Sequence, residues 1–249
     1  MKAMILAAGL GTRLRPLTND RPKALVEVAG CTLLEITLRR LRAFGVHDVI
    51  INTHHFADMI ADYLHSHGNF GMHIVLSHEE ALLDTGGGLK KAAPFFLDSP
   101  GAGDPFILHN VDVISTIDLA SMLRHHAEHK ALATLAVQDR PTARPLLFDQ
   151  VAQLCGRRTG SEHTQEMARP AAHPQPLAFS GIHILAPRLL SLLVEEGAFS
   201  IIPAYLRLAA RGESILAFRA DQYYWRDLGR PESLTHAGED LAAGLWSIA

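Results

Sequence analysis

The stretch Ile5-Leu-Ala-Ala-Gly-Leu-Gly-Thr-Arg-Leu-Arg-Pro16, ILAAGLGTRLRP, passes within a few residues from buried character to flexible, positively charged character. The apolar run Lys2 to Ala8 has the composition of a strand buried on both faces of a parallel sheet. It stops at a loop holding Gly9 and Gly11, with Arg13 and Arg15 close behind. In an open α/β sheet, ligands bind beyond the carboxyl ends of the strands, so the loop stands where a binding site is expected. Glycine lets backbone N–H groups approach a phosphate closely, and Arg13, Arg15 and Lys23 supply charge to neutralise it. The competing reading is a tight turn with solvated arginines.

Two familiar phosphate loops do not fit. The dinucleotide fingerprint needs a third glycine where this chain has Leu14, and an acidic residue at the end of the next strand. A Walker A loop needs four residues between its glycines and then Gly-Lys-Ser/Thr, a string the chain lacks. A nicotinamide-dependent oxidoreductase is disfavoured on the first ground.

Working outward, the period of the apolar residues alternates between strand-like and helix-like. Thr32-Leu-Leu-Glu35 has capping-box spacing, Leu34, Leu38 and Leu41 share a helical face, and Gly45 is placed to end that helix. Strands are expected at Val49 to Asn52, His73 to Ser77, Pro105 to Leu108 and Ala131 to Gln138. Helices are expected at Ala57 to His65, Gly86 to Phe95, and Ser115 to His129, the last with Ser115-x-x-Asp118 at its start. Residues 139–176 carry five prolines and read as a hairpin plus a surface loop, with β-like pieces at Leu146 to Phe148 and Val151 to Leu154. Periodic structure resumes with strands at Leu177 to Leu185 and Ile215 to Phe218, and helices at Pro187 to Glu195, Ile201 to Arg211 and Pro231 to Leu245. The expected fold class is α/β: one doubly wound, mostly parallel (mixed) sheet with helices on both faces, in a single domain 1–249.

Composition agrees with such a domain: 249 residues, 48% hydrophobic and 20% charged. A net charge of -3 gives no reason to expect nucleic acid or an anionic membrane as partner. Cys31 and Cys155 are too few for a disulfide framework or a zinc site. The apolar N-terminus is too short for a signal-peptide core or a membrane span, so a cytoplasmic protein is expected. His125-His126-x-x-His129 puts two imidazoles one helical turn apart, but with no carboxylate or cysteine beside them they read as surface histidines. His54, Glu79 and Glu80 follow strands and are candidates to line the site, solvated loop positions being the alternative.

Leu6-Ala-Ala-Gly-Leu-Gly-Thr-Arg-Leu-Arg-Pro16, with Leu17-Thr18 and Pro22-Lys23, closely resembles the opening signature of the sugar-1-phosphate nucleotidyltransferases, or nucleotide-sugar pyrophosphorylases. The resemblance continues through Asp84-Thr-Gly-Gly-Gly-Leu-Lys-Lys91, Leu108-His-Asn-Val-Asp-Val113, Phe179-Ser-Gly-Ile-His183 and Trp225-Arg-Asp-Leu-Gly-Arg-Pro-Glu232. It implies a Rossmann-like nucleotidyltransferase fold in which residues 1–130 bind the nucleotide, while 131–249 bind the sugar phosphate and supply a C-terminal helix. Leu6, Ala7, Ala8, Gly9, Gly11, Thr12 and Arg13 would surround the nucleoside triphosphate, with Arg13 on the departing pyrophosphate. Thr85 and a turn at Gly86, Gly87 and Gly88 would lie against the nucleoside. Lys23, Ser180 and Gly181 would meet the sugar phosphate. Asp112 and Asp227 match the two aspartates that hold catalytic Mg²⁺. Each also stands just after an apolar strand, where hard oxygen ligands for such an ion are expected. Taken singly, either aspartate is equally a helix cap or turn residue.

The implied reaction is transfer of a nucleotidyl group from a nucleoside triphosphate to a sugar-1-phosphate, with release of pyrophosphate. An alternative of another class is an inactive nucleotide-sugar binding or regulatory protein. The joint presence of Arg13, Lys23, Asp112 and Asp227 favours the enzyme. Relatives often have glycine where this chain has Val111, and larger ones carry a Glu-Lys-Pro loop that is absent here; Arg157 and Arg158 are the candidates to replace it. No hexapeptide-repeat β-helix follows, so the chain resembles the short forms, the N-acetylmuramate-1-phosphate uridylyltransferases and the mannose- or heptose-1-phosphate guanylyltransferases. The first of these suggests UTP with an N-acetylated sugar, N-acetylmuramate or N-acetylglucosamine; separately, a monomer or small homo-oligomer is expected.

Overall fold

The computed structural model describes residues 1–98, 103–159 and 164–248. The chain opens with β1 (Lys2–Leu6), followed by short 3-10 turns at Thr12–Leu14 and Lys23–Leu25 and a two-residue ribbon of β2 (Glu27–Val28) and β3 (Cys31–Thr32). Next come α1 (Leu33–Ala43), β4 (Asp48–Thr53), α2 (Ala57–Ser66), β5 (His73–His78), α3 (Asp84–Lys91) and α4 (Ala93–Leu97). The middle of the chain forms β6 (Phe106–Asn110), β7 (Val113–Ser115), α5 (Leu119–Glu128), β8 (Ala133–Gln138), β9 (Leu146–Phe148), β10 (Leu154–Thr159), β11 (Thr164–Met167) and β12 (Gln175–Leu185). It closes with α6 (Arg188–Ser191), α7 (Ile201–Ala210), β13 (Ile215–Arg219), β14 (Trp225–Asp227) and α8 (Pro231–Ala242).

Ten strands form one mixed sheet in the order β11-β10-β9-β12-β6-β1-β4-β5, with β8 pairing both β12 and β13. The β6, β1, β4 and β5 ladders are parallel, so their carboxyl ends open on one edge of the sheet. From β12 outward the main ladders are antiparallel, apart from the parallel β8–β13 pair. Two separate buried clusters, one containing Ile5, Ile51 and Leu38 and the other Met4, Ile50 and Phe106, show that alternate residues of β1 and β4 face opposite cores. Among the described residues no helix is long and apolar enough to cross a membrane.

Local signals explain α1 directly. The Thr32 side chain accepts a hydrogen bond from Glu35 N at 3.1 Å, as the cap spacing predicts, and Gly45 leaves the helix at φ +87°. Other expectations need correction. Ser115 is the last residue of β7, and the helix starts after Asp118, whose carboxylate accepts from Ser121 N at 3.0 Å. Val151 and Ala152 lie in a turn held by Asp149 Oδ1, which accepts from Val151 N (3.0 Å) and Gln153 N (2.8 Å); the strand begins at Leu154. Helix α6 stops at Ser191 because the chain that follows is drawn toward α7, where Glu195 pairs with Arg207. Much of the expected 139–176 surface loop is sheet edge, formed by β10 and β11, while its residues 160–163 lie outside the described residues.

Candidate active site

A cavity of about 180 Å³ lies at the carboxyl ends of β1, β4, β5 and β6. Leu6, Ala7, Ala8, Gly9, Lys23, Thr85 and Asp112, all expected site residues, line it; Gly11, Thr12, Arg13, Gly86, Gly87, Gly88, Ser180, Gly181 and Asp227 do not. Asn52, Glu79 and Asn110 also line it. Both asparagines sit at strand ends, the positions the sheet rule marks, yet no motif singled them out.

The glycines of the first loop have different reasons. A side chain at Gly9 would meet nothing within 4 Å, so its backbone is bare toward open space. Gly11 has φ +63°, and a Cβ there would stand 3.0 Å from Thr18 Cγ2 and 3.1 Å from Lys23 Cβ. Thr18 Oγ1 donates to the Gly11 carbonyl at 2.9 Å, which folds the loop back over Lys23. Only glycine reconciles that φ with that approach.

Lys23 is almost fully buried, and its ammonium pairs with Asp112 Oδ2. Asp112 occupies the turn joining β6 to β7, with its side chain 17% exposed. Val111 precedes it without a positive φ, and its N–H donates to the Leu6 carbonyl at 3.2 Å, so a branched residue fits there unstrained. Asp227 comes to the same place from the far end of the chain. Strand β14 pairs with β7 so that Asp227 faces Val113, and Leu228 N donates to the Asp112 carbonyl at 2.8 Å. Asp227 Oδ1 accepts from Gly229 N at 2.7 Å. A Cβ at Gly229 would lie 2.6 Å from Arg13 Nη2 and 2.7 Å from Asp227 Oδ1. Gly229 is therefore the gap through which Arg13 reaches the Asp227 side of the site.

Two carboxylates on neighbouring strand ends are hard oxygen donors of the kind that hold a divalent cation together with phosphate oxygens. Among the described residues there is no group of three or more His, Cys, Asp or Glu side chains that could form a protein-only metal cage. His125 and His129 lie 4.4 Å apart between ring centroids, tilted by 35°, and have no such partners among the described residues.

The wall opposite Asp112 is a relay. Asn52 Oδ1 accepts from Ala7 N at 2.7 Å, Asn52 Nδ2 donates to Glu79 Oε1 at 2.8 Å, and Glu79 Oε2 accepts from Leu83 N at 2.9 Å. It ties the ends of β1, β4 and β5 to the start of α3. Glu79 is 1% exposed, while Glu80 is exposed to solvent. His54 turns away from the cavity and its Nδ1 donates to the Glu79 carbonyl at 2.7 Å.

Gly86, Gly87 and Gly88 are helical residues of α3, in line with the helix expected from Gly86 and not with the turn that the resemblance implies. Added Cβ atoms would stand 2.3 Å from Phe199 Cε2, 2.4 Å from the Gly197 carbonyl oxygen and 2.7 Å from Glu79 Oε1 respectively. Their small size serves protein packing. Asp84 and Thr85, one turn earlier, are the α3 residues that reach the cavity.

Ser180 and Gly181 fall where the β12–β8 register shifts. Gly181, at φ +75°, lets the strand pass Asn110: a Cβ would lie 2.9 Å from Asn110 Nδ2. The Ser180 carbonyl accepts from Trp225 Nε1 at 2.7 Å, and its buried hydroxyl has no partner among the described residues. Arg140, which no motif marked, stacks on Trp225 with Cζ 3.5 Å from the ring centroid and donates to the Phe179 carbonyl at 2.8 Å. Burial lowers the Arg140 pKa, and the nearby Asp227 opposes that shift. Arg15 is exposed.

The family model described as nucleotidyl transferase matches residues 2–244. The chain is 36% identical to N-acetylmuramate alpha-1-phosphate uridylyltransferase of Caulobacter vibrioides, with 96% of each chain covered. It is 32% identical to the protein of that name from Neisseria meningitidis, covering 99% of this chain and all of the relative. Among solved structures, HddC from Yersinia pseudotuberculosis complexed with GMP-PN superposes with a TM-score of 0.74 at 22% identity, covering 96% of this chain and 98% of that one, and shares the fold. The chain belongs to the nucleotidyl transferase family.

Proposed function

We propose that the protein joins a nucleoside triphosphate to a sugar-1-phosphate and releases pyrophosphate, using Mg²⁺, with UTP and an N-acetylated sugar preferred. The observation that carries this reading is the meeting of Lys23, Asp112, Asp227 and Arg13 beside a cavity lined by Ala7, Ala8 and Gly9. The choice of UTP and sugar follows the two uridylyltransferase relatives, which match this chain over nearly its whole length.

The chemistry asks little covalent work of the protein. A sugar-1-phosphate is largely dianionic at neutral pH, because the second pKa of a phosphate monoester is about 6, and needs no general base. The barrier comes from bringing two anions together and from charge developing on the α-phosphoryl group and the leaving pyrophosphate. Mg²⁺ held by Asp112 and Asp227 would supply charge neutralisation at the phosphates. Lys23 places an ammonium at the floor of the cavity, where it serves the incoming phosphate. Arg13, in an exposed 3-10 turn, serves the departing pyrophosphate. Backbone N–H groups of the first loop complete the polar lining. Residues 1–130 receive the nucleotide and 131–249 close over the sugar, through the bulge at Ser180 and Gly181.

The test is a pyrophosphate-release screen of UTP, GTP, CTP, ATP and dTTP against a panel of sugar-1-phosphates with Mg²⁺. The expected outcome is turnover with UTP and an N-acetylated sugar. Nucleotide binding without turnover for any pair would instead make the chain a binding protein.

A further inference from the structure

A second cavity, of about 300 Å³, lies beyond the sugar end of the site, between the antiparallel edge of the sheet and the start of α7. Arg144, Arg157 and Arg158 line it together with Thr159, Phe179 and Ser200. Two connections tie it to the active site. Ile201, between two of its lining residues, donates its N–H to Thr85 Oγ1 at 3.0 Å, and Thr85 lines the first cavity. Phe179 precedes the Ser180–Gly181 bulge that packs on Asn110.

Among the described residues, the charge lining this second cavity is unbalanced. Arg157 pairs with Glu166 across the β10–β11 ladder at 2.6 Å. Arg158 faces the neutral Gln165 amide at 3.3 Å, and Arg144 has no carboxylate partner among the described residues. Among the described residues, the three arginines that line this cavity have one carboxylate partner, Glu166. The amino end of α7, capped by Ser200, adds its partial positive charge at the same wall. A neutral sugar offers such a wall only hydroxyl and amide oxygens as acceptors. A sugar carrying its own carboxylate would gain a charge-assisted, two-pronged partner.

We propose that Arg144, Arg157 and Arg158 form a carboxylate subsite that selects a sugar-1-phosphate bearing an acidic substituent over its neutral counterpart. This rests on the proposed nucleotidyl transfer, and it gives a specific duty to Arg157 and Arg158, the candidates to replace the Glu-Lys-Pro loop of larger relatives. N-acetylmuramate-1-phosphate, whose O3 ether ends in a carboxylate, and N-acetylglucosamine-1-phosphate, which lacks that group, differ by the feature the subsite would read.

The experiment measures KM and kcat for both sugars with UTP, in the wild type, Arg144→Met, Arg157→Met, the Arg144→Met/Arg157→Met pair, and Glu166→Gln. All these positions lie on the sheet edge or its loop, away from both buried clusters. The double variant should raise KM for the acidic sugar about tenfold or more, at unchanged kcat, and leave KM for the neutral sugar within twofold. Glu166→Gln, which frees Arg157, should lower the acidic-sugar KM. Equal changes for the two sugars, or none for either, would overturn the subsite while leaving nucleotidyl transfer intact. No turnover of either sugar by the wild type would overturn the reading beneath it.

Discussion

Lys23 and Asp112, 89 residues apart in sequence, form an ion pair at the floor of the cavity. The ammonium there occupies an oxygen that a divalent cation would also use. Replacing Lys23 by Met should therefore do two opposite things: turnover falls about a hundredfold or more, yet Mg²⁺ raises Tm further than it does in the wild type. Thermal melts with and without Mg²⁺ check the second effect independently of catalysis. Equal Mg²⁺-dependent shifts in both proteins would show that the pair and the ion do not compete.

Glycine substitutions separate backbone that packs from backbone that faces the ligand. Gly87→Ala drives a Cβ to 2.4 Å from the Gly197 carbonyl oxygen and should cost about 1–3 kcal/mol, since backbone there cannot yield cheaply. Gly9→Ala meets nothing within 4 Å and should leave stability within about 0.5 kcal/mol, while raising KM for the triphosphate. Urea unfolding alongside steady-state kinetics distinguishes the two.

Asn52→Leu cuts the relay between Ala7 N–H and the buried Glu79 carboxylate. Both groups then lose a partner away from water, and a loss of about 2–4 kcal/mol is expected, measured as a fall in the urea midpoint. A loss below 0.5 kcal/mol would mean that water replaces Asn52 freely.

Burial holds three imidazoles neutral. The pKa falls to about 3 for His109 and His183, each by burial first, and to about 4 for His126, again by burial and then by His125. In the unfolded chain these groups titrate near 6.5, so between about pH 6 and pH 4 the unfolded state binds more protons and stability falls as pH falls. Three such groups give a slope of about 4 kcal/mol per pH unit in that window. Acid unfolding followed by circular dichroism should be cooperative and largely complete by pH 4. His109→Leu removes a ring whose Nε2 has no partner, and should lower that slope by about a third.

The parallel half of the sheet was legible because its signals are local. Buried runs such as Ile5 and Ile51, the Thr32 cap and the Gly45 stop each act within a few residues. The edge hairpin β10–β11 was not, because Gly-Arg-Arg-Thr on one strand and Thr-Gln-Glu-Met on the other are held by ladder bonds and an ion pair, with no alternating apolar face. In the site, the first loop and Asp112 announced themselves by motif. The Asn52–Glu79 relay and the stacking of Arg140 on Trp225 join residues from separate elements, which no short string encodes. The triple glycine lies within the helix expected from Gly86, and the turn that the resemblance implies there is absent, since helix packing selects the same small residue as a turn does.

In the proposed reaction Asp112 and Asp227 serve one metal-dependent nucleotidyl transfer. The most direct measurement is the initial rate of nucleotide-sugar formation from UTP and N-acetylmuramate-1-phosphate, followed by chromatography, in the wild type, Asp112→Asn and Asp227→Asn across a Mg²⁺ titration. The expected result is one nucleotide-sugar per pyrophosphate in the wild type, loss of the reaction in EDTA, and rates lowered about a hundredfold or more in both variants with circular dichroism unchanged. Near-normal rates in both variants, or a wild-type rate indifferent to Mg²⁺, would contradict it.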